Sequence, residues 1–217
     1  MKITIDIDEA LRYLGAPQAD AATREQAMQM ALLLEEALEP RLVWKEYALE
    51  GLSLPEAGLT LPGMLARRML DTCSRAALLV CTLGAEFERL YRLWQARDMA
   101  KAVVLDACGS AYVEAGCDEA ERQMAALHPG LFLTDRFSPG YGDLPLTLQD
   151  GILQATDAGR RLGVQATPSH LLIPSKTVTA VIGLSTQPQR ARIRGCAYCA
   201  LREKCTMRKG GASCESI

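Results

Sequence analysis

The sequence predicts an α+β fold in which a mostly antiparallel sheet is flanked by helices. Segments with the alternation of strands and segments with the spacing of helices are interspersed, without the regular βαβ order of a doubly wound fold. The chain has 217 residues, of which 49% are hydrophobic, so it can bury a sizeable core. Its composition changes at Gln187-Pro188-Gln189. We therefore expect a domain at residues 1–187 and a short basic, cysteine-rich tail at residues 188–217.

Apolar spacing and capping residues define the elements of the first part of the chain. In order, they are a strand at 3–6, a helix at 9–14 with Asp8 as its N-cap, a helix opened by a capping box at 23–26 and ended by Pro40, one or two strands at 42–52, a helix opened by Pro62, and a strand at 76–82. The last of these is an uninterrupted apolar run, as expected of a buried strand.

The second part of the chain continues the mixture of helices and strands. In order, the elements are a helix marked by Phe87, Leu90, Tyr91 and Trp94, a long helix capped by Asp98 and running from 99 to about 127, a strand at 131–134, an irregular loop at 136–146, a helix reaching Gly163 with Asp143 as its cap, and strands at 164–167, 171–173 and 177–184. The spacing of these strands gives no internal repeat.

The overall charge excludes some classes of function. With 24 basic and 26 acidic residues, the net charge is −2, so no strong field for nucleic acid or membranes is expected. Residues 1–60 hold eleven acidic and five basic residues, whereas residues 188–217 hold seven basic and two acidic ones. The basic tail is the only feature that supports a nucleic-acid-binding zinc module. Aromatic residues that could stack on bases are scarce, which argues against that class. No signal peptide or long apolar stretch is present, which predicts a cytoplasmic protein.

The loop at 136–146 is the most distinctive stretch of the domain. Pro139-Gly140 suits the central positions of a type II turn, since proline presets φ and glycine accepts a positive φ. Arg136, Ser138, Tyr141 and Asp143 surround that turn. One interpretation is a plain connection between a strand and a helix. The other is a binding loop whose guanidinium and backbone N–H groups receive a small anionic group such as a carboxylate.

The tail contains a second distinctive pattern, C-x2-C-x5-C-x8-C, formed by Cys196, Cys199, Cys205 and Cys214. Four thiols at this spacing form a metal-site signature, and a segment this polar would need a metal in order to fold. A [4Fe–4S] cluster, a zinc ion and no metal at all are the three alternatives. The four other cysteines lie among apolar residues and are interpreted as small buried hydrophobic side chains. The two histidines have no spaced partner, which argues against a conventional hydrolase.

The long helix carries Asp106, Ser110 and Glu114 at intervals of four residues, so they share one face. Such a stripe is usually the solvated side of a helix. The functional alternative is that one carboxylate points into a cleft with Arg136 and binds an amino group. Asp6, at the end of the first predicted strand, is a second candidate for that role. The sequence contains no G-x-G-x-x-G or Walker loop, so the common nucleotide-cofactor folds are not indicated.

The loop resembles the R-x-x-P-G-Y signature of the activation domain of vitamin B12-dependent methionine synthase, through Arg136-Phe137-Ser138-Pro139-Gly140-Tyr141. Further segments match that family in the same order: Leu11-Arg12-Tyr13-Leu14-Gly15, Thr82-Leu83-Gly84, Leu105-Asp106-Ala107 followed by Glu114, and Pro174-Ser175-Lys176-Thr177-Val178-Thr179-Ala180-Val181-Ile182-Gly183. The resemblance is to short stand-alone relatives of the domain and spans residues 3–185.

The resemblance implies a C-shaped α+β domain that binds S-adenosylmethionine in a shallow groove and docks on a cobalamin-bearing module. If the roles of the R-x-x-P-G-Y residues in that family apply here, Arg136 would bind the methionyl carboxylate. Tyr141 would lie near the ligand or the corrin and would be the residue closest to the reacting groups. By a weaker alignment, Glu114 and Asp6 would contact the amino or ribose groups of S-adenosylmethionine. Backbone contacts would come from Phe137, Ser138, Pro139 and Gly140. The family continues the turn as P-A-C-P, whereas this chain has Gly142-Asp143-Leu144-Pro145.

The resemblance therefore implies a reactivation subunit of a cobalamin-dependent methyltransferase system. It would support the reductive methylation of cob(II)alamin on a separate corrinoid protein, expected to be a methionine synthase. The electron would come from a donor such as flavodoxin or ferredoxin, or from an iron–sulfur cluster in the tail. The alternative is a non-catalytic protein that docks on a corrinoid protein and carries a structural zinc in its tail. Neither interpretation involves a nucleic acid or a membrane.

Overall fold

A computed structural model of the protein describes residues 2–189 and 193, and the fold over this part of the chain is α+β. The helices are α1 (Ile7–Tyr13), α2 (Ala21–Ala37), α3 (Met64–Leu70), α4 (Gly84–Arg97), α5 (Met99–Leu127), α6 (Leu148–Thr156) and α7 (Ala158–Leu162). The strands are β1 (Arg41–Ala48), β2 (Ser53–Leu54), β3 (Leu59–Thr60), β4 (Arg75–Thr82), β5 (Phe132–Leu133), β6 (Gln165–Ala166), β7 (Leu172–Ile173) and β8 (Thr177–Ser185). The predicted fold class is thus confirmed.

The main sheet has the strand order β1-β4-β8-β5, and all of its neighbouring strands are antiparallel. Val80 on β4 lies opposite Val43 on one side and Thr179 on the other. Two small antiparallel pairs, β2 with β3 and β6 with β7, stand apart from it. Because β4 lies between β1 and β8 and has helices on both faces, the apolar run predicted at 76–82 is buried throughout.

Each face of the sheet has its own hydrophobic core. The larger core lies under α1, α2, α4 and α5 and includes Leu11, Leu34, Leu79, Phe87, Tyr112 and Ile182. The opposite core lies under α3 and α6 and includes Leu61, Met69, Val80, Phe137, Ile152 and Val181. Helix α5 lies against the first face, and Gly109 permits its close contact with α4. A Cβ at that position would be 2.3 Å from Phe87 Cε2.

The long helix agrees with the sequence prediction at both ends. It runs from Met99 to Leu127, and the Asp98 side chain accepts a hydrogen bond from the Lys101 N–H. Strands β1, β4 and β8 are also present where the sequence placed them. Over residues 2–189, no helix is sufficiently long and apolar to cross a membrane.

The N-terminal prediction is wrong in two respects. Residues 3–6 form no strand, because the Ile5 N–H donates to Glu35 Oε1 at 2.8 Å instead of entering the sheet. Asp6, rather than Asp8, caps α1. The predicted capping box at 23–26 is also displaced, because α2 begins earlier and Asp20 caps it through the Thr23 N–H.

The helix predicted to reach Gly163 is divided in two. Asp157 has a left-handed φ of 57°, which ends α6 at Thr156 and lets α7 begin in a new direction. Asp143 does not cap this helix. Its carboxylate instead accepts hydrogen bonds from the first N–H groups of α3, which is far away in the sequence. Helical periodicity could not reveal the contact of Asp143 with α3, since it joins parts of the chain that are distant in sequence.

The four cysteines of the domain are free thiols, and Cys81, Cys108 and Cys117 are fully buried as predicted. Cys73 is half-buried. Burial raises the pKa of Cys73 to about 11 and that of Cys108 to about 12, so both thiols are protonated at neutral pH. None of these four side chains belongs to the tail pattern, whose cysteines lie outside the described residues.

Candidate functional site

The predicted turn at Pro139-Gly140 is present. The Tyr141 N–H donates to the Ser138 carbonyl at 3.0 Å, and Gly140 has a φ of 90°, the positive value that a type II turn requires at this position. Two further hydrogen bonds, from Leu144 to Tyr141 and from Gly140 to Leu144, close the loop on itself. The loop is therefore a shaped structure with defined backbone geometry.

Both ends of the turn are anchored in the second core. Phe137 exchanges two backbone hydrogen bonds with Val181 of β8, at 3.0 and 2.8 Å, and its side chain is 1% exposed. Leu144, on the other side of the turn, is also buried. Tyr141 lies between these anchors and is 59% exposed. The fold thus fixes the turn and presents the tyrosine ring to solvent.

Asp143 joins the turn to helix α3. Its carboxylate accepts hydrogen bonds from the N–H groups of Met64, at 2.6 Å, and Leu65, at 3.0 Å. Gly63 leaves room for this contact, since a Cβ there would lie 2.6 Å from Asp143 Oδ1. The hydrogen bonds from Leu65 and Met64 lower the pKa of Asp143.

We expect Asp143→Ala to lower the urea midpoint of unfolding at neutral pH and to have little effect in strong acid. The pKa of Asp143 is lower in the folded protein than the value of about 3.9 expected for an unfolded chain, so its contribution is present above that value. The contribution is lost as the pH falls through the lower folded value. Urea unfolding followed by circular dichroism at several pH values measures this. Glu39→Ala, which removes another exposed carboxylate, is the control for a general effect of charge.

Arg136 is at the centre of a cluster of carboxylates and is 10% exposed. Its Nη2 donates to Glu114 Oε2, and its Nη1 donates to Asp118 Oδ1 and Glu121 Oε1, all at 2.5 Å. Burial alone would lower the pKa of Arg136. Cys117 and the three carboxylates outweigh that effect and raise it, so the guanidinium stays charged.

The polar stripe on α5 contacts two cations from outside the helix. Asp106 and Ser110 both contact Lys176 Nζ, at 3.0 and 2.9 Å, and the same ammonium lies 5.6 Å from the centroid of the Phe87 ring. Glu114, further along the stripe, contacts Arg136. The stripe therefore makes ionic and hydrogen-bonding contacts with other parts of the chain, while Asp106 remains 44% exposed. The structure brings Glu114 and Arg136 together, as the functional interpretation of the stripe required.

Helix α1 contributes a neighbouring group that the sequence did not identify. Glu9 pairs with Arg12 at 2.6 Å, and the Arg12 guanidinium lies 5.6 Å from the centroid of the Tyr13 ring. Burial, with Glu114 and Glu9 adding to it, raises the pKa of Tyr13, so its hydroxyl stays protonated. Burial also raises the pKa of Glu9.

Spacing could have revealed part of this group. Glu114, Asp118 and Glu121 are four and three residues apart, which places all three on one face of a helix. Nothing in the sequence alone shows that α1 lies beside that face. Asp6 is also nearby, but its Oδ1 accepts the N–H groups of Asp8 and Glu9 as the cap of α1. The structure therefore gives Asp6 a capping role.

The balance of charge in this cluster favours a cation. Four carboxylates surround two guanidinium groups, those of Arg12 and Arg136. The carboxylates belong to Glu9, Glu114, Asp118 and Glu121. The excess of negative charge attracts an ammonium or sulfonium group, whereas both terminal nitrogens of Arg136 already have carboxylate partners. A ligand with a positively charged group fits these residue types.

A shallow groove lies on the other side of the turn. It has a volume of about 620 Å³ and is bounded by α3 and by Tyr141. Its lining residues include Met64, Leu65, Arg67, Arg68, Tyr141 and Ile193. Within the described part of the chain, no group of histidine, cysteine, aspartate or glutamate side chains is arranged to hold a metal ion. The metal site predicted at Cys196, Cys199, Cys205 and Cys214 lies outside the described residues.

The fold is similar to a known one. The crystal structure of the MetH reactivation domain bound to AdoHcy superimposes with a TM-score of 0.60 over 88% of this chain and 72% of that chain. The two sequences are 15% identical, so the similarity establishes the fold. No family model and no curated protein matches the sequence. The predicted resemblance to the activation domain is confirmed at the level of structure.

Proposed function

We propose that this protein binds S-adenosylmethionine and acts in the cytoplasm as a reactivation subunit for a separate corrinoid protein, a methionine synthase. It would support the reductive methylation of cob(II)alamin on that partner. The observation that carries this proposal is the anchored R-x-x-P-G-Y turn, with Arg136 held among carboxylates, on the fold of a reactivation domain. The MetH domain was crystallised with AdoHcy, which differs from S-adenosylmethionine by the methyl group and the charge on sulfur.

The ligand carboxylate would bind Arg136 by replacing Asp118. Both terminal nitrogens of the guanidinium already have carboxylate partners, so an incoming carboxylate must exchange with one of them. Asp118 is the most exposed of the three, at 57%, and an exposed ion pair is the least costly to separate. Glu114 would remain in place. It would then face the ammonium or sulfonium group of the ligand.

Tyr141 would contact the ligand or the corrin of the partner. Its exposed ring lies at the tip of a turn with fixed ends, and an exposed aromatic side chain suits a flat, largely apolar surface. S-adenosylmethionine would supply the methyl group, and the electron would come from flavodoxin or ferredoxin, or from a cluster in the tail. The residues of this chain bind and orient the reactants, while the cofactors carry the chemistry.

Two isosteric substitutions on α5 should have different effects on binding. We expect Glu114→Gln to weaken S-adenosylmethionine binding about tenfold, which corresponds to roughly 1.4 kcal/mol for a lost charge contact. Asp118→Asn should leave the affinity unchanged or tighten it, because it removes the carboxylate that competes for Arg136. Isothermal titration calorimetry measures both. Leu32→Ala, at an exposed position on α2, is the control for surface changes.

Equal weakening by both substitutions would contradict the exchange of carboxylates at Arg136. Absence of binding to the unmodified protein would contradict the ligand itself and favour the second candidate, a docking protein without catalytic function. That candidate is supported by the pairing of both terminal nitrogens of Arg136 with carboxylates of its own chain. A docking protein would still bind its corrinoid partner in the absence of S-adenosylmethionine.

We further propose that the tail binds a metal through Cys196, Cys199, Cys205 and Cys214. A [4Fe–4S] cluster there would be a local electron donor for cobalt reduction, whereas zinc would be structural. The support is the cysteine spacing in the sequence. Protein purified without oxygen that contains no iron and lacks the broad visible absorbance of a cluster would contradict the iron–sulfur form.

A further inference from the structure

One face of helix α1 carries an aromatic ring beside a carboxylate. Glu9, Arg12 and Tyr13 are three and four residues apart, so their side chains lie on the same face of α1. Ala10 and Leu11 are buried in the larger core and fix the orientation of the helix. The side chain of Tyr13 is 46% exposed. The fold therefore presents part of an aromatic surface to solvent.

The same face of α1 adjoins the carboxylate cluster around Arg136. Helices α1 and α5 pack against each other, and α5 carries Glu114 and Asp118. Burial raises the pKa of Glu9, and the charges of Glu114 and Asp118 add to this effect. Glu114 also adds to the effect of burial on the pKa of Tyr13. The ring of Tyr13 and the carboxylate of Glu9 thus extend the cluster towards solvent.

A cation of the chain itself lies against this ring. The guanidinium carbon of Arg12 is 5.6 Å from the centroid of the Tyr13 ring, and Arg12 Nη2 is 2.6 Å from Glu9 Oε1. A cation within about 6 Å of an aromatic face is attracted by the quadrupole of the ring. The side chain of Arg12 is 29% exposed, so it can turn into solvent, and the loss of such a surface ion pair costs little. The ring and Glu9 therefore form a cation site whose present occupant is exchangeable.

We propose that Tyr13 and Glu9 receive the sulfonium group of S-adenosylmethionine in place of Arg12. This role rests on the proposed function and names the residues that recognise the charge on the ligand sulfur. With the ligand carboxylate at Arg136, the ammonium group on the adjacent carbon is closest to Glu114, which pairs with Arg136. The sulfonium lies farther along the methionyl chain and needs a cation site of its own.

Tyr13 would consequently select S-adenosylmethionine over AdoHcy. The sulfur of AdoHcy is a neutral thioether, which neither the ring quadrupole nor a carboxylate attracts as it attracts a cation. Selectivity is a difference between two affinities, and a contact made only with the charged sulfur contributes directly to it. When the methyl group leaves, the electron pair of the broken bond stays on sulfur and the positive charge disappears. Arg12 can then return to the ring, which favours release of AdoHcy.

Isothermal titration calorimetry with S-adenosylmethionine and with AdoHcy tests this role. The quantity measured is the dissociation constant of AdoHcy divided by that of S-adenosylmethionine. We expect Tyr13→Leu to lower this ratio about fivefold, because the cation–π contact is lost while apolar contact remains. Tyr13→Phe keeps the ring and should keep the ratio. Arg12→Gln removes the competing cation and should raise the ratio by tightening S-adenosylmethionine alone.

Lys101→Gln is the matched control for Arg12→Gln. Lys101 Nζ also lies 5.6 Å from the centroid of an aromatic ring, that of Trp94. It is in the first turn of α5, about 20 Å along the helix from Glu114. Its substitution removes a cation from an aromatic face without touching the proposed site. The ratio of the two dissociation constants should therefore stay the same.

The role of Tyr13 is overturned if Tyr13→Leu weakens both ligands equally, or if the Lys101→Gln control shifts the ratio as much as Arg12→Gln does. Should Tyr13→Leu lose its fold by circular dichroism, an unchanged ratio in Arg12→Gln overturns it. Binding of both ligands with a ratio that does not respond to Tyr13 removes this role alone and leaves the proposed function in place. An unmodified protein that binds neither ligand overturns both.

Discussion

Arg136→Met is expected to lower the free energy of unfolding by about 2–3 kcal/mol, somewhat below the 3–5 kcal/mol typical of a fully buried pair, because the carboxylates are partly exposed. The substitution keeps most of the apolar bulk of the side chain but leaves Glu114, Asp118 and Glu121 without their shared cation. Binding of S-adenosylmethionine should be lost as well. Urea unfolding and calorimetry measure the two effects.

The salt dependence identifies the cause of this loss of stability. Without the guanidinium, the three carboxylates repel one another, and dissolved salt screens that repulsion. The difference between Arg136→Met and the unmodified protein should therefore shrink as the salt concentration rises towards about 1 M. Arg136→Lys, which retains the charge, should be less destabilised. Arg89→Met removes an exposed ion pair on α4 and should leave the unfolding midpoint unchanged. A difference that is constant with salt concentration would contradict the electrostatic explanation.

Phe137→Ala is expected to destabilise the protein by about 3–5 kcal/mol, the usual range for removing a buried phenylalanine side chain. The ring is 1% exposed in the second core and holds the start of the turn against β8. Loosening it should also weaken ligand binding, since the position of Arg136 depends on the same segment. Chemical unfolding and calorimetry measure these two effects.

Phe132→Ala is the matched control for this substitution. Phe132 lies a few residues earlier, on β5, and its side chain is 43% exposed. Its removal should cost much less than that of Phe137, because less apolar surface returns to water. Equal destabilisation by the two substitutions would show that the anchoring of the turn does not depend on Phe137.

The resemblance of one hexapeptide and several short segments led from sequence to fold, although the overall identity to the MetH reactivation domain is only 15%. Such segments are informative because their residues are constrained by backbone geometry. The turn needs a positive φ at Gly140 and a preset φ at Pro139. The long helix needs its cap at Asp98. Each of these requirements involves residues that are close together in the sequence, so it can be predicted from the sequence alone.

Sequence patterns did not identify the partners of the charged side chains. Periodicity shows that Asp106, Ser110 and Glu114 share one face, but it does not show which groups lie opposite that face. The structure places Lys176 against one end of this stripe and Arg136 against the other. Both contacts join parts of the chain that are distant in sequence.

The sequence by itself determined the α+β class, the central strands, the bounds of α5 and the shape of the turn, because local sterics, capping and apolar spacing fix them. Only the tertiary structure decided that Asp143 caps α3, that the Ile5 N–H donates to Glu35 instead of entering the sheet, and that Arg136 is neutralised by carboxylates of its own chain. The physical reason is that a hydrogen bond or an ion pair depends on distance in space. In this protein that distance is set by how two helical layers pack on one antiparallel sheet.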